Sequence, residues 1–160
     1  MKKRISHSLE ETAIIAAEWL ESISMTKDHD KATVIGLSGN LGAGKTAFVK
    51  CVAKTMGITE EVTSPTFVIM KIYDIAIHRG STSMSRWKRL VHIDAYRLDK
   101  AQELEALKFE GLAADPANLI LVEWPENVDL QKIVPRVQII TFEAGRGETE
   151  RVLDFGIVKN

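Results

Sequence analysis

Cysteine is nearly missing from this sequence: Cys51 stands alone among 160 residues. A lone thiol excludes an intramolecular disulfide framework and a cysteine-cluster zinc site, and it argues for a reducing compartment. Long apolar runs are missing as well. The longest reach a handful of residues, far short of the roughly 20 that a membrane-spanning helix needs. Residues Met1 to Arg4 are positive, but no apolar stretch follows them. No export signal is read there, and a cytoplasmic location is expected. Charge of one sign is not in excess either. Lysine and arginine number 21 against 22 aspartates and glutamates, a formal net charge of -1. Such a balance exerts no global pull on nucleic acid or anionic lipid, so any contact with RNA must be local or made through a partner. Repeats and low-complexity tracts are absent.

What remains is ordinary globular material, 45% hydrophobic and 27% charged. That is enough apolar surface to offset chain entropy, which excludes disorder as the main state. One domain over residues 1–160 is expected. Ser8 followed three residues later by Glu11 has the form of a capping box, and Ala13, Ala16, Ala17, Leu20 and Ile23 recur at helical spacing. These predict a helix over Leu9 to Ser24. Val34 to Leu37 reads as a buried strand. Phe48, Val49, Val52, Ala53 and Met56 form one face of a second helix that Gly57 ends. Further strands are expected over Phe67 to Ile77, Leu90 to Ile93, Leu119 to Val122, Val137 to Phe142 and Val152 to Ile157, with a helix over Lys100 to Phe109. Residues His78 to Arg89 read as a surface loop. The alternation predicts an α/β fold with a mostly parallel central sheet flanked by helices and antiparallel edge strands; the glycine-rich segment within it makes the P-loop NTPase type the expected one.

Between the first buried strand and the second helix lies Gly39-Asn40-Leu41-Gly42-Ala43-Gly44-Lys45-Thr46, a full G-x-x-x-x-G-K-[ST] phosphate loop. Its glycines allow successive backbone N–H groups to face one phosphate. The following helix adds its positive end. Lys45 brings a mobile cation to the β- and γ-phosphates, and the Thr46 hydroxyl is a hard oxygen suited to Mg²⁺. The Asn-Lys-x-Asp signature that selects guanine in GTPases of this fold does not occur, so ATP is the expected nucleotide.

Such a loop needs a carboxylate on the magnesium side, commonly at the end of a neighbouring buried strand. Leu119-Ile120-Leu121-Val122-Glu123 has that form, and Glu123 is the candidate both to hold Mg²⁺, directly or through water, and to polarise the attacking water. His92-Ile93-Asp94-Ala95-Tyr96-Arg97 ends another strand and puts His92, Asp94 and Tyr96 on one side. Asp94 is a candidate to orient water or bind magnesium; His92 alone reads as structural rather than as a base. Thr63 to Phe67 occupies the position where nucleotide switches sense the γ-phosphate. Arg86 to Arg89, with Trp87, offers a small basic and aromatic tip for RNA, or the beginnings of a kinase lid. From the residues alone, an ATPase, a small-molecule kinase and a nucleotide-gated binding module all remain open.

Four motifs occur in order: the phosphate loop, Ser64-Pro65-Thr66-Phe67, His92-x-Asp94-x-Tyr96-Arg97 and Leu121-Val122-Glu123-Trp124-Pro125. Together they resemble the TsaE family, small bacterial P-loop ATPases needed for threonylcarbamoyl modification of adenosine 37 in tRNAs that read codons beginning with A. The resemblance runs from Glu10-Glu11-Thr12 to the final strands. It implies Thr46 and Glu123 as magnesium ligands, Lys45 and the loop backbone as the phosphate cradle, and Asp94 as an acid needed for hydrolysis. It further implies Ser64 to Thr66 as a switch segment, Thr12 near the bound adenine and Trp124 beside the site. TsaD and TsaB are the implied partners. The stretch between Phe67 and His92 departs from the family by being longer and more basic.

Overall fold

A computed structural model describes residues 2–25, 30–65, 67–75, 86–147 and 149–156. Strand β1 (Lys3–Ser6) leads into helix α1 (Leu9–Ser24). The Ser8 hydroxyl accepts from the Glu11 amide at 3.2 Å, while the Glu11 carboxylate reaches back to the His7 amide at 2.7 Å. Orphan donors at the helix start are thereby satisfied. Strand β2 (Thr33–Gly39) runs straight into the phosphate loop, and α2 (Lys45–Thr55) leaves it. Then follow β3 (Met70–Asp74), β4 (Arg89–Asp94), α3 (Gln102–Ala106), α4 (Phe109–Ala114) and β5 (Asn118–Glu123). A 3₁₀ turn (Pro125–Val128), α5 (Leu130–Ile133), β6 (Gln138–Ala144) and β7 (Arg151–Asp154) complete the described chain.

The seven strands form one sheet in the order β1-β7-β6-β2-β5-β4-β3. The four central strands, β6, β2, β5 and β4, are mutually parallel. Those outside them join antiparallel: β3 on β4, β7 on β6 and β1 on β7. Parallel strands put their carboxyl ends on one edge, so Gly39, Asp94 and Glu123 emerge side by side. The register pairs Leu37 with Glu123 and Asp94 with Glu123.

Each face of the sheet buries a core. Under α1 and α2, Trp19, Phe48, Phe142 and Phe155 pack with ring centroids 5.3–6.4 Å apart. All four are essentially inaccessible. Fully burying one such side chain contributes about 1.5–3 kcal/mol. On the opposite face Val91, Ile93, Ile120 and Val122 meet Leu98, Leu104, Phe109 and Leu130.

The structure amends several expected elements. β1 was not expected; its pairing with β7 joins opposite ends of the chain. Phe67 to Ile69 do not belong to a strand: the Val68 amide donates to the Pro65 carbonyl at 2.9 Å, Ile69 takes φ +70°, and β3 begins only at Met70. Residues 76–77 lie outside the described residues. The helix expected over Lys100 to Phe109 is two short ones. Lys108 adopts φ +54°, closing one turn and turning Phe109 into the second core. The last strand stops at Asp154, whose carboxylate accepts the Gly156 amide at 3.0 Å.

Candidate functional site

The loop Gly39 to Thr46 wraps the N-terminus of α2. Two of its glycines are needed for stated reasons. Gly39 has φ +146°, and a Cβ there would stand 2.3 Å from the Phe142 carbonyl oxygen. Gly44 caps α2 at φ +105°, with the Arg151 side chain 3.3 Å from where its Cβ would be. Asn40, Leu41 and Gly42 form the exposed tip, with Leu41 80% accessible; Ala43 is buried.

Lys45 is 4% exposed. Its ammonium donates to the carbonyls of Gly39 and Asn40, at 3.0 Å for the latter, and lies 4.0 Å from the centroid of the Trp124 ring. Burial pushes the Lys45 pKa below the usual lysine value; the carboxylates of Glu123, Glu126 and Asp94 work in the other direction. Trp124 holds its ring there through a left-handed backbone at φ +59°, and Tyr96 packs on it at 5.1 Å.

Across the loop the Thr46 hydroxyl meets the Glu123 carboxylate, 2.8 Å from Oε1 and 3.1 Å from Oε2. Glu123 ends the fully buried strand β5 and is 3% exposed. Its Oε1 is also 2.8 Å from His92 Nε2 on β4. Asp94, at the end of β4, accepts the Tyr96 amide at 3.0 Å on Oδ1 and the Ser64 hydroxyl at 3.3 Å on Oδ2. The segment expected to act as a switch therefore touches Asp94 through Ser64; Thr66 lies outside the described residues. Lys45 with Thr46, Asp94 and Glu123 thus converge from three places in the sequence onto one edge of the sheet.

Beside the loop a cavity of about 180 Å³ opens among Ser8, Leu9, Thr12, Ala43, Gly44, Ala47, Phe142, Thr149, Arg151 and Leu153. Thr12 is on its wall, its hydroxyl bonded to the Ser8 carbonyl at 3.0 Å and to the Ser6 hydroxyl at 2.8 Å.

A family model described as threonylcarbamoyl adenosine biosynthesis protein TsaE matches residues 6–153. The chain belongs to the TsaE family. The Bacillus subtilis tRNA threonylcarbamoyladenosine biosynthesis protein TsaE is 36% identical over 129 residues, 79% of this chain and 71% of that protein. Its Streptomyces coelicolor counterpart is 38% identical over 94 residues, 58% of this chain and 57% of that protein. The alignment to the latter thus spans little more than half of its length. Among solved structures, a crystal structure of Bacillus subtilis YdiB superposes with a TM-score of 0.66 at 29% identity, covering 99% of this chain and 86% of that one. A TsaE member with the P-loop fold is a nucleotide-binding type of protein.

Two expectations about the basic segment do not hold. Trp87 is 1% exposed, with its indole N–H 3.2 Å from the Thr33 hydroxyl, so it is not available to stack on an RNA base. Arg86 lies on that ring at 4.6 Å and donates to Thr33 and to the Ile23 carbonyl. Arg89 pairs with Asp115. Thr33 and Arg89 begin their strands, whereas the phosphate loop follows the end of β2. Six residues of strand separate Thr33 from Gly39, roughly 20 Å at the rise of a β-strand, so these arginines do not form a lid over the phosphates. Residues 78–85 of the expected loop lie outside the described residues. Among the described residues no helix is long and apolar enough to cross a membrane.

The sequence reading missed the His92–Glu123 bond and the place of Arg151 against α2. Neither has a local signal. His92 reaches Glu123 across a parallel strand pair, and Arg151 comes from a hairpin strand more than a hundred residues after the loop.

Proposed function

We propose that this TsaE-family protein binds ATP with Mg²⁺ on the Gly39–Thr46 loop and hydrolyses it slowly. ATP turnover then serves the threonylcarbamoyl modification of adenosine 37 in tRNA by a TsaD–TsaB transferase in the cytoplasm. The observation that carries the ATPase reading is the meeting of Thr46 and Glu123, 2.8 Å apart, directly beside the loop.

This pair suits magnesium. The cation prefers hard oxygens, takes one or two protein ligands and completes its shell with water and substrate phosphate. A hydroxyl and a carboxylate within hydrogen-bond distance provide such a set. Thr46 and Glu123 would hold Mg²⁺, which would supply positive charge to offset the negative charge that develops on the phosphates during transfer.

The chain's own groups do the rest. The loop amides and the α2 N-terminus cradle the β-phosphate. Lys45, which rests on the loop carbonyls, turns to the β- and γ-phosphates and stabilises the developing negative charge. The Glu123 oxygens are engaged by Thr46 and His92, which favours a metal-side role for this acid. Asp94 faces the Ser64 segment instead and is the group we assign to orient water for in-line attack on the γ-phosphate. The cavity lined by Thr12 adjoins the loop on the side away from Glu123 and supports a place for the adenine. Trp87 is buried and cannot stack on a base, and we assign the tRNA contact to the partner proteins.

The test compares nucleotide binding and phosphate release for the wild type, Lys45→Ala and Asp94→Asn, alone and with TsaD and TsaB. Magnesium-dependent ATP binding, turnover raised by the partners, and loss of turnover in both variants support the reading. Phosphate transferred to an added small-molecule acceptor, or modification that persists when hydrolysis is abolished, would overturn it.

A further inference from the structure

We propose that His92 is a positioning residue that fixes the Glu123 carboxylate for the metal; the inference rests on the magnesium reading above. His92 is wholly buried on β4, on the face that packs under α2. The strand register sets it opposite Leu121, so its ring leans one step up the sheet to bring Nε2 within 2.8 Å of Glu123 Oε1. Diagonal pairs of this kind lie within reach of long and aromatic side chains.

Packing alone does not ask for an imidazole here. Its neighbours on that face are Leu90 and Asp94 along β4, Leu121 on β5 and Lys71 on β3, and the other ring nitrogen, Nδ1, has no hydrogen-bond partner among the described residues. A buried polar atom left without a partner is costly. The one polar return on placing histidine at this position is the bond to Glu123. An ionised carboxylate only accepts, so Nε2 carries the proton and donates.

The value of that bond lies in what Glu123 must do. Thr46 and His92 both hold Oε1 in this structure. Once the Thr46 oxygen turns to the cation, His92 is what keeps the carboxylate from rotating. The last torsion of glutamate is broad and nearly two-fold, so without a donor it samples many orientations. Asp94 lies directly in register with Glu123 on the neighbouring strand, and its like charge repels the Glu123 carboxylate. A fixed N–H on Oε1 holds it in place and leaves Oε2 to the metal side. His92 itself is inaccessible and touches no nucleotide.

The experiment titrates Mg²⁺ into the protein with a non-hydrolysable ATP analogue and follows the analogue's affinity, with a parallel measurement in EDTA. Losing a partner behind a metal ligand typically costs 10–100-fold. We expect His92→Leu, which keeps the bulk and removes the donor, to raise the midpoint Mg²⁺ concentration about 10–100-fold, with affinity in EDTA unchanged within about twofold. His92→Gln places an N–H near the Nε2 position and should restore the wild-type midpoint. His92→Asn, one methylene shorter, should behave like leucine. If leucine prevents folding, the Gln–Asn pair decides. A midpoint unchanged in Leu or Asn, an equal loss in EDTA, or Gln failing as badly as Asn overturns the proposal. Wild-type protein that binds the analogue without any dependence on Mg²⁺ would instead overturn the magnesium reading on which it rests.

Discussion

Gly39 and Gly42 both take positive φ in the same loop, yet alanine should behave very differently at the two positions. At Gly42, φ is +77° and a Cβ would meet nothing within 4 Å. The penalty there is the left-handed conformation alone, about 1–2 kcal/mol. At Gly39, φ is +146°, a region that residues with a Cβ occupy at a cost of about 1–3 kcal/mol. The Cβ would also lie 2.3 Å from the Phe142 carbonyl oxygen, which is backbone and is paired in register with Gly39 on β6. Ordinary contact needs about an ångström more, so the β2–β6 ladder must open where the loop begins. Forcing an extra methyl into packed structure costs about 1–3 kcal/mol more. Gly39→Ala should therefore lose about 2–6 kcal/mol and Gly42→Ala about 1–2 kcal/mol. Urea unfolding of the nucleotide-free protein measures both. In thermal unfolding, each kcal/mol amounts to about 2–4 °C for a chain of this size. Equal stability of the two variants would refute the claim that Gly39 is held by close approach to β6.

Further outcomes follow from the same geometry. Lys45→Ala should weaken ATP binding about 10–150-fold, the equivalent of a charged hydrogen bond of about 1.5–3 kcal/mol, measured by calorimetry. Because burial lowers the Lys45 pKa, the unfolded chain holds its proton to higher pH than the folded one. Wild-type stability should thus gain on that of Lys45→Met as pH rises from the folded value toward 10.5; a gap independent of pH contradicts this. Phe48→Ala, at the centre of the aromatic cluster, should cost about 3–5 kcal/mol in denaturant unfolding. Asp94→Asn should lower the turnover number about 10²–10⁴-fold, with ATP affinity little changed; a loss confined to affinity would move Asp94 to the binding side.

What the sequence made legible was local. The phosphate loop is contiguous, and its residue types are dictated by the backbone path and the phosphates. Ser8 announces α1, and the apolar run before Glu123 announces β5. What escaped depends on pairings between distant segments. Lys3 to Ser6 becomes a strand only because Arg151 to Asp154 is present beside it. Nothing in Lys100 to Phe109 marks Lys108 as the left-handed break; the pull of Phe109 into the second core decides it. Trp87 looked exposed because it sits in a basic, serine-rich stretch, yet Thr33 offers its indole a buried partner. His92 looked merely structural because its partner lies 31 residues away.

The central claim is that ATP turnover on the Gly39–Thr46 loop serves tRNA modification. Its most direct test is a reconstituted reaction containing a threonylcarbamoyl-adenylate synthase, TsaD, TsaB, threonine, bicarbonate, ATP and unmodified tRNA. This protein would be present, absent or replaced by Lys45→Ala. We expect modification over many turnovers only with the intact protein, falling with Lys45→Ala to the level of its absence. Modification that proceeds equally well in all three reactions, with the partners shown to be active, would contradict the claim.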